Sequence, residues 1–390
     1  MAAADSDAVK SRHARDATHG PDPYARRTAA DRPGIAQPVP VRPVPRQPWG
    51  RILIGSVVVL AVLLGGWEGY WRAFGVVPGI RNSDGLWARE RRRIDAGEGA
   101  ATVVIGDSRL LFDLQLPVWE QLSGRRPIQL SLEATSPLFL LEDLANDEHF
   151  TGRLLVGLAP MNILRSGGRR TDVLGYLRHE SPSQRIGQWL SMRFIEPYLA
   201  FDDPDFALQT VLARQAWPVR PNTPQFAPVR KLSVSEADRN SHLWSKVEDD
   251  AAYRDAARSV WAQHHWAIDT LPPAAQRPEA WPGLIDERVT AAARAVAKLR
   301  ARGVKVVFVR PPSSGPYLEA EDRELPRTRS FEPLLRATGA PGIHFQDYPQ
   351  LQGLETPEWS HLSAADAARF TAALYDILER THWEPGAPPQ

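Results

Sequence analysis

Two short stretches hold the residues that could do chemistry. Gly106-Asp107-Ser108 follows the apolar run Val103-Val104-Ile105, and Glu358-Trp359-Ser360-His361 lies near the other end of the chain. A serine hydroxyl is a poor nucleophile until a hydrogen-bonded base removes its proton. The base works best when a carboxylate orients it and stabilises the imidazolium that forms. Ser108, His361 and Glu358 supply those three parts. Each stretch also has a plain reading: Gly-Asp-Ser is a common loop sequence, and a histidine before a helix can simply hydrogen-bond there.

The elements that must position these residues alternate along the chain. Strands are expected at 102–105, 127–132, 153–158, 304–309 and 343–345. Helices are expected at 117–122, 137–146, 284–302, 330–337 and 364–380. The 284–302 helix carries an apolar stripe through Val289, Val296 and Leu299 and stops at Gly303. The last helix opens with Ser363 and Asp366 in capping-box spacing. Such alternation implies a mostly parallel sheet covered on both faces, whose ligands bind beyond the carboxyl ends of its strands. Ser108, Ala159, Arg310 and the 347–361 loop all follow strand ends, so one cleft could receive them all.

In these features the chain resembles the SGNH (GDSL-like) hydrolases. The resemblance rests on Gly106-Asp107-Ser108 after the first strand and on Glu358-x-x-His361 before the last helix, and it covers roughly residues 100–160 and 280–380. It implies a three-layer, flavodoxin-like α/β fold with Ser108 as nucleophile, His361 as base and Glu358 as orienting acid. The family usually has aspartate where Glu358 stands. Its oxyanion donors include a glycine after the second strand, where this chain has Ala134. They also include an asparagine in a Gly-x-Asn-Asp motif after the third strand. Here Gly157-Leu158-Ala159-Pro160 takes that place, with Asn162 just beyond. Arg109 and Arg310 are further groups that could answer negative charge, although Arg310-Pro311-Pro312 also reads as a rigid turn. Asp347 is an alternative acid.

Composition narrows the classes. A net charge of +1 over 390 residues gives no basic field for nucleic acid. The absence of cysteine excludes disulfides, thiolate metal sites and a thiol nucleophile. No phosphate-binding or dinucleotide fingerprint is present, so no cofactor is expected. No metal is expected either, because His264-His265 lacks partners at ligand spacing and reads as structural. Thirteen tryptophans suit a core, a membrane interface or platforms for sugars.

Residues 1–48 are rich in proline and poor in large aliphatics, and are read as a disordered tail ending in polyproline-like Pro38-Val39-Pro40-Val41. Ile52–Trp67 is then uncharged and apolar, flanked by Trp49, Tyr70 and Trp71. Residues 49–71 are therefore expected to cross a membrane and contact its lipid. A cleaved signal is disfavoured by the long leader and the missing Ala-x-Ala site. Nine Lys and Arg residues precede the apolar run, from Lys10 to Arg51, and place the tail in the cytoplasm. Arg89, Arg91, Arg92 and Arg93 on the far side oppose that orientation without reversing it.

The expected organisation is thus a tail at 1–48, a span at 49–71, a linker at 72–99, an α/β domain from 100–160 and 281–381, and a mainly helical insertion at 161–280. Two functions fit. One is an extracytoplasmic ester hydrolase or O-acyl (acetyl) transferase on a cell-envelope polysaccharide, with that polysaccharide or an acyl-donor protein as partner. The other is a non-catalytic descendant of the fold that scaffolds a membrane complex.

Overall fold

The computed structural model describes residues 47–165, 167, 170, 172–214, 231–262 and 271–383. The expected tail lies outside these residues except for its last two, and His264-His265 lies outside them entirely. The chain divides into two units, residues 1–61 and 62–390.

The boundary falls within helix α1, Trp49–Phe74, the one described helix long and apolar enough to cross a membrane. Within the second unit this helix behaves as part of a folded core. It runs three residues past the expected span, and Trp71, expected at a lipid interface, is buried in an aromatic cluster. Its ring lies 4.8 Å from that of Phe206, and the Lys246 ammonium sits 4.4 Å above the Phe74 ring. Aromatic pairs and cations over rings add to plain apolar burial, so these last turns are anchored.

The expected linker contains a helix, α2 at Asp84–Arg93, capped by Ser83 and packed through the fully buried Leu86 and Trp87. The basic cluster within it is not a free positive patch. Arg91 bonds Asp143 at 3.0 Å and Asp147 at 2.7 Å, Arg92 meets Glu180 at 2.6 Å, and Arg93 meets Glu98 at 2.6 Å.

The core of the second unit is a mixed α/β arrangement. Its five parallel strands are β1 (Thr102–Ile105), β2 (Ile128–Gln129), β3 (Arg153–Gly157), β6 (Lys305–Arg310) and β7 (Gly342–His344), in the order β2-β1-β3-β6-β7. The strand expected at 127–132 is shorter, yet the amides of Leu130 and Leu132 still donate to Val104 and Gly106 at 2.8 and 2.9 Å. Alternating residues divide between the faces, as the pleat requires. Val103, Leu154, Val156, Val306 and Phe308 pack toward α5 (Leu138–Asn146), α11 (Trp281–Ala301) and α13 (Phe331–Thr338). Val104, Leu155, Val307 and Ile343 pack toward α4 (Leu116–Ser123) and α14 (Ala364–Leu378). The cap of α14 forms as expected, with Ser363 Oγ accepting the Asp366 N–H at 3.2 Å. The Asp366 carboxylate turns instead to the Glu355 N–H at 2.6 Å.

Within the α/β domain two helices escaped the periodicity. α3, Ser108–Asp113, begins at the serine itself, and α12, Gly315–Glu324, follows β6. The first is too short to show a 3.6-residue stripe, and the second follows the Pro311-Pro312 break. The insertion carries helices α6 (Val173–His179), α7 (Pro182–Phe194), α8 (Leu208–Ala213), α9 (Ser245–Asp249) and α10 (Ala251–Val260). It also holds an antiparallel hairpin of β4 (Ser233–Ser235) and β5 (Ser241–Leu243), which the helical expectation missed.

One glycine lets α3 sit against the sheet. A Cβ at Gly157 would lie 2.6 Å from Leu110 Cδ2 and 2.7 Å from Leu110 Cβ. Gly157→Ala is therefore expected to destabilise the protein by about 1–3 kcal/mol, the usual cost of overpacking. A denaturant titration checks this, and an unchanged midpoint would show that α3 yields freely.

Candidate active site

β1 delivers Gly106-Asp107-Ser108 at its carboxyl end, where Asp107 stops extended structure and starts α3. Asp107 Oδ1 accepts the Arg109 N–H at 3.0 Å as an N-cap. Its other oxygen accepts the Ala159 N–H at 3.2 Å and the Asn162 side-chain amide at 2.6 Å. One buried carboxylate thus ties the turns after β1 and β3 together, and Ser108 is held half-exposed between them.

The second stretch meets this serine. His361 Nε2 lies 2.8 Å from Ser108 Oγ, and His361 Nδ1 lies 2.9 Å from Glu358 Oε1. Both distances fall within hydrogen-bond reach, so a hydroxyl, an imidazole and a carboxylate form one continuous chain. The longer glutamate side chain reaches the histidine. Glu358 and His361 are both buried, and Glu358 Oε1 also accepts the His361 N–H at 2.6 Å. Burial by itself drives the Glu358 carboxyl up. The charge and hydrogen bonds of His361, with the indole of Trp261, outweigh burial and hold it below the ordinary carboxylate range.

The loop that carries His361 is held in an uncommon conformation. Trp359 has φ 74°, a left-handed geometry costly for a bulky side chain. Its carbonyl accepts the Ser314 N–H at 3.0 Å, and the Arg258 guanidinium lies 5.4 Å from its ring centroid. Arg258 also donates to the Pro357 carbonyl at 2.9 Å. Trp261, just past α10, donates its indole N–H to Glu358 Oε2. The insertion therefore grips the acid and its loop from above. No spacing pattern in the sequence links residues so far apart, so sequence reasoning missed Trp261 and Arg258.

The remaining candidates divide. Ala134 follows β2 and has φ 49°, the region that glycine favours and where the resemblance expects glycine. Ala134, Asn162 and Ala159 line the same cavity as Ser108 and His361, a space of about 720 Å³. Leu232, Ser233, Val260 and Trp261 of the insertion complete its walls. Arg109 and Arg310 are both held in buried ion pairs. Arg109 touches the cavity wall, but it donates to Glu321 at 2.8 Å and Ser360 at 3.3 Å and lies over the Tyr317 ring. Arg310 is not among the cavity residues and donates to Glu321 Oε2 at 2.6 Å and to Ser313. Both guanidiniums are engaged by the Glu321 carboxylate, and only Arg109 borders the cavity. Asp347 is also spent, pairing at the surface with Arg327 at 2.7 Å.

Glu321, another residue that sequence reasoning passed over, organises the floor beneath the serine. Burial raises its carboxyl, but the two guanidiniums dominate and hold it below the ordinary range. Glu321→Ala would leave two buried cations without their anion. It is expected to cost about 3–5 kcal/mol, the usual consequence of breaking a buried ion pair. Thermal unfolding measures this, and a shift typical of surface substitutions would contradict it.

Asp113 at the end of α3 is fully buried, and its Oδ1 accepts the Leu362 N–H at 2.9 Å, fixing the residue after His361. Burial pushes this carboxyl well above its usual range, with the charge of Glu358 adding to the effect.

Asp95, Asp147 and His149 are the described residues grouped closely enough to hold a metal ion, and this group belongs to the surface network of Arg91 rather than to the cavity. Neither a scan against models of known protein families nor a search of the curated proteins finds a match.

Proposed function

We propose that the chain is a membrane-anchored serine esterase or O-acyltransferase of SGNH type, acting on an acylated cell-envelope polysaccharide outside the cytoplasm. The observation that carries this reading is the Ser108–His361–Glu358 chain of hydrogen bonds opening on a cavity of about 720 Å³. That volume lies within the range of ordinary ligand pockets. Leaving the hairpin aside, the strand order reads 2-1-3-4-5, the flavodoxin-like order. The left-handed backbone at Ala134 favours an oxyanion donor there, and Asn162 brings a side-chain amide to the end of the third strand. The apolar helix α1 and the positive charges before it favour an anchored protein with its tail in the cytoplasm.

The reaction follows from these positions. Ser108 Oγ attacks the ester carbonyl carbon while His361 Nε2 takes its proton, and Glu358 balances the imidazolium. The N–H groups of Ser108 and Ala134, with the Asn162 amide, receive the oxyanion. The ester C–O bond then breaks, and His361 returns the proton to the departing alkoxide. Water or a second sugar hydroxyl attacks the acyl-serine by the reverse sequence, giving hydrolysis or transfer.

A fluorophosphonate tests the proposal on the full-length chain in detergent or nanodiscs. Covalent labelling mapped to Ser108, and absent after heat denaturation, is the expected result. No labelling anywhere between about pH 6 and 9, a window spanning the ordinary imidazole range, would sink it in favour of a non-catalytic scaffold.

A further inference from the structure

Helix α7 wears its amphipathicity inside out. A surface helix of a soluble protein turns its apolar stripe toward the core and its polar face toward water. Here Ile186, Trp189, Leu190 and Phe194 fall on one stripe, at i, i+3, i+4 and i+8, and all are between 43% and 60% exposed. The opposite, polar side faces the protein. Gln188 Oε1 accepts from Ser83 Oγ at 2.7 Å, and Met192 lies against Arg89. No residue of α7 is buried.

The place of this stripe in the fold indicates what covers it. Just past α7, the Tyr198 carbonyl accepts from Arg72 Nη2 at 2.8 Å. The amides of Ala200 and Phe201 donate to Glu68 at 2.9 and 3.1 Å. Arg72 and Glu68 belong to the last turns of α1, directly after its apolar run ends at Trp67. Tyr198 is itself 55% exposed, as is Tyr70 on α1 at 59%. The stripe therefore begins beside the point where α1 stops being apolar, and it extends along a helix of 13 residues, roughly 20 Å at 1.5 Å per residue. Its composition is that of an interfacial helix, with Trp, Phe and aliphatic residues and with Arg193 beside the Phe194 ring at 5.6 Å.

We infer that α7 is a second membrane contact: its Ile186–Trp189–Leu190–Phe194 face lies in the headgroup–acyl boundary of the bilayer that α1 spans. This rests on the reading of α1 as a membrane span. Two contacts hold a domain in one orientation to the surface, where a single helix leaves it free to swing. The cavity beside Ser108 is thereby kept at a fixed aspect to the envelope face of the membrane.

The chain has no cysteine, so single-cysteine spin labelling needs no background removal. Full-length Ile186→Cys, Leu190→Cys and Phe194→Cys are labelled in nanodiscs holding one copy of the chain, and broadening by oxygen is compared with broadening by a water-soluble nickel chelate. Oxygen, which concentrates in lipid, is expected to dominate at all three positions. The chelate should dominate at Glu287→Cys, an exposed residue of α11. Val58→Cys in α1 tests the span separately. Lipid exposure at Val58 with water exposure at the three α7 positions overturns the interfacial helix alone. Water exposure at Val58 overturns the span beneath it. Protection of α7 that appears only in discs with two copies assigns the face to a second copy of this chain and overturns the lipid contact.

Discussion

Ser108→Ala is expected to lower turnover of an activated acetyl ester by roughly 10⁶-fold, the loss seen when the nucleophile of a serine triad is removed. The thermal midpoint should stay where it is. Ser108 Oγ bonds His361 Nε2 and is only half-buried, so its loss removes the attacking atom without opening a cavity in the core. The start of α3 is untouched, because Asp107 rather than Ser108 caps it. What activity persists comes from the oxyanion donors and from binding, which in serine enzymes still gives about 10³–10⁴ over water. Steady-state kinetics with a matched melting curve separates this from unfolding. A variant that retains most of its activity, or loses it together with its fold, would remove Ser108 from the nucleophile's role.

Glu358→Gln carries the second largest expected effect, a fall in turnover of about 10⁴-fold, as when the acid of a serine triad is made neutral. An amide cannot balance the imidazolium, and it can present a donor to Nδ1 where an acceptor is needed. Trp261 would also lose its anionic partner. A stability signature accompanies the loss, and its sign is fixed. The folded carboxyl titrates below its ordinary value of 4.5. Its contribution is therefore fully present above the unfolded pKa and disappears as pH falls through the folded one. The gap in stability between the wild type and Glu358→Gln should be constant near neutrality and close below pH 4.5. Melting curves across that range check it, and a gap that widens on acidification would contradict a carboxylate stabilised in the fold.

Much of the α/β pattern was legible because local rules wrote it. β1 and β6 announce themselves by β-branched runs, β3 by its apolar Leu154-Leu155-Val156, and α11 by a 3.6-residue stripe ended at Gly303. Ser363 stands at a helix start where its side-chain oxygen satisfies a free amide. α2 carries too short an apolar stripe to stand out, and it is held in the fold by buried Leu86 and Trp87 and by the pairs of Arg91 with Asp143 and Asp147. The hairpin β4–β5 pairs only three residues in each strand, too few to alternate visibly.

The chemistry on offer is written in local order along the chain: a serine after a strand, a histidine with an acid three residues before it, and an apolar helix after a Pro-rich tail. These are residue types and local spacings, and such features survive without a fold. Packing alone chooses which of them come together. It brought His361 within 2.8 Å of Ser108 and set Trp261 on Glu358. It also withdrew Arg109 and Arg310 into pairs with Glu321. The reason is physical: a buried charge or a directed hydrogen bond depends on the dielectric and the partners around it, and packing chooses those from anywhere along the chain.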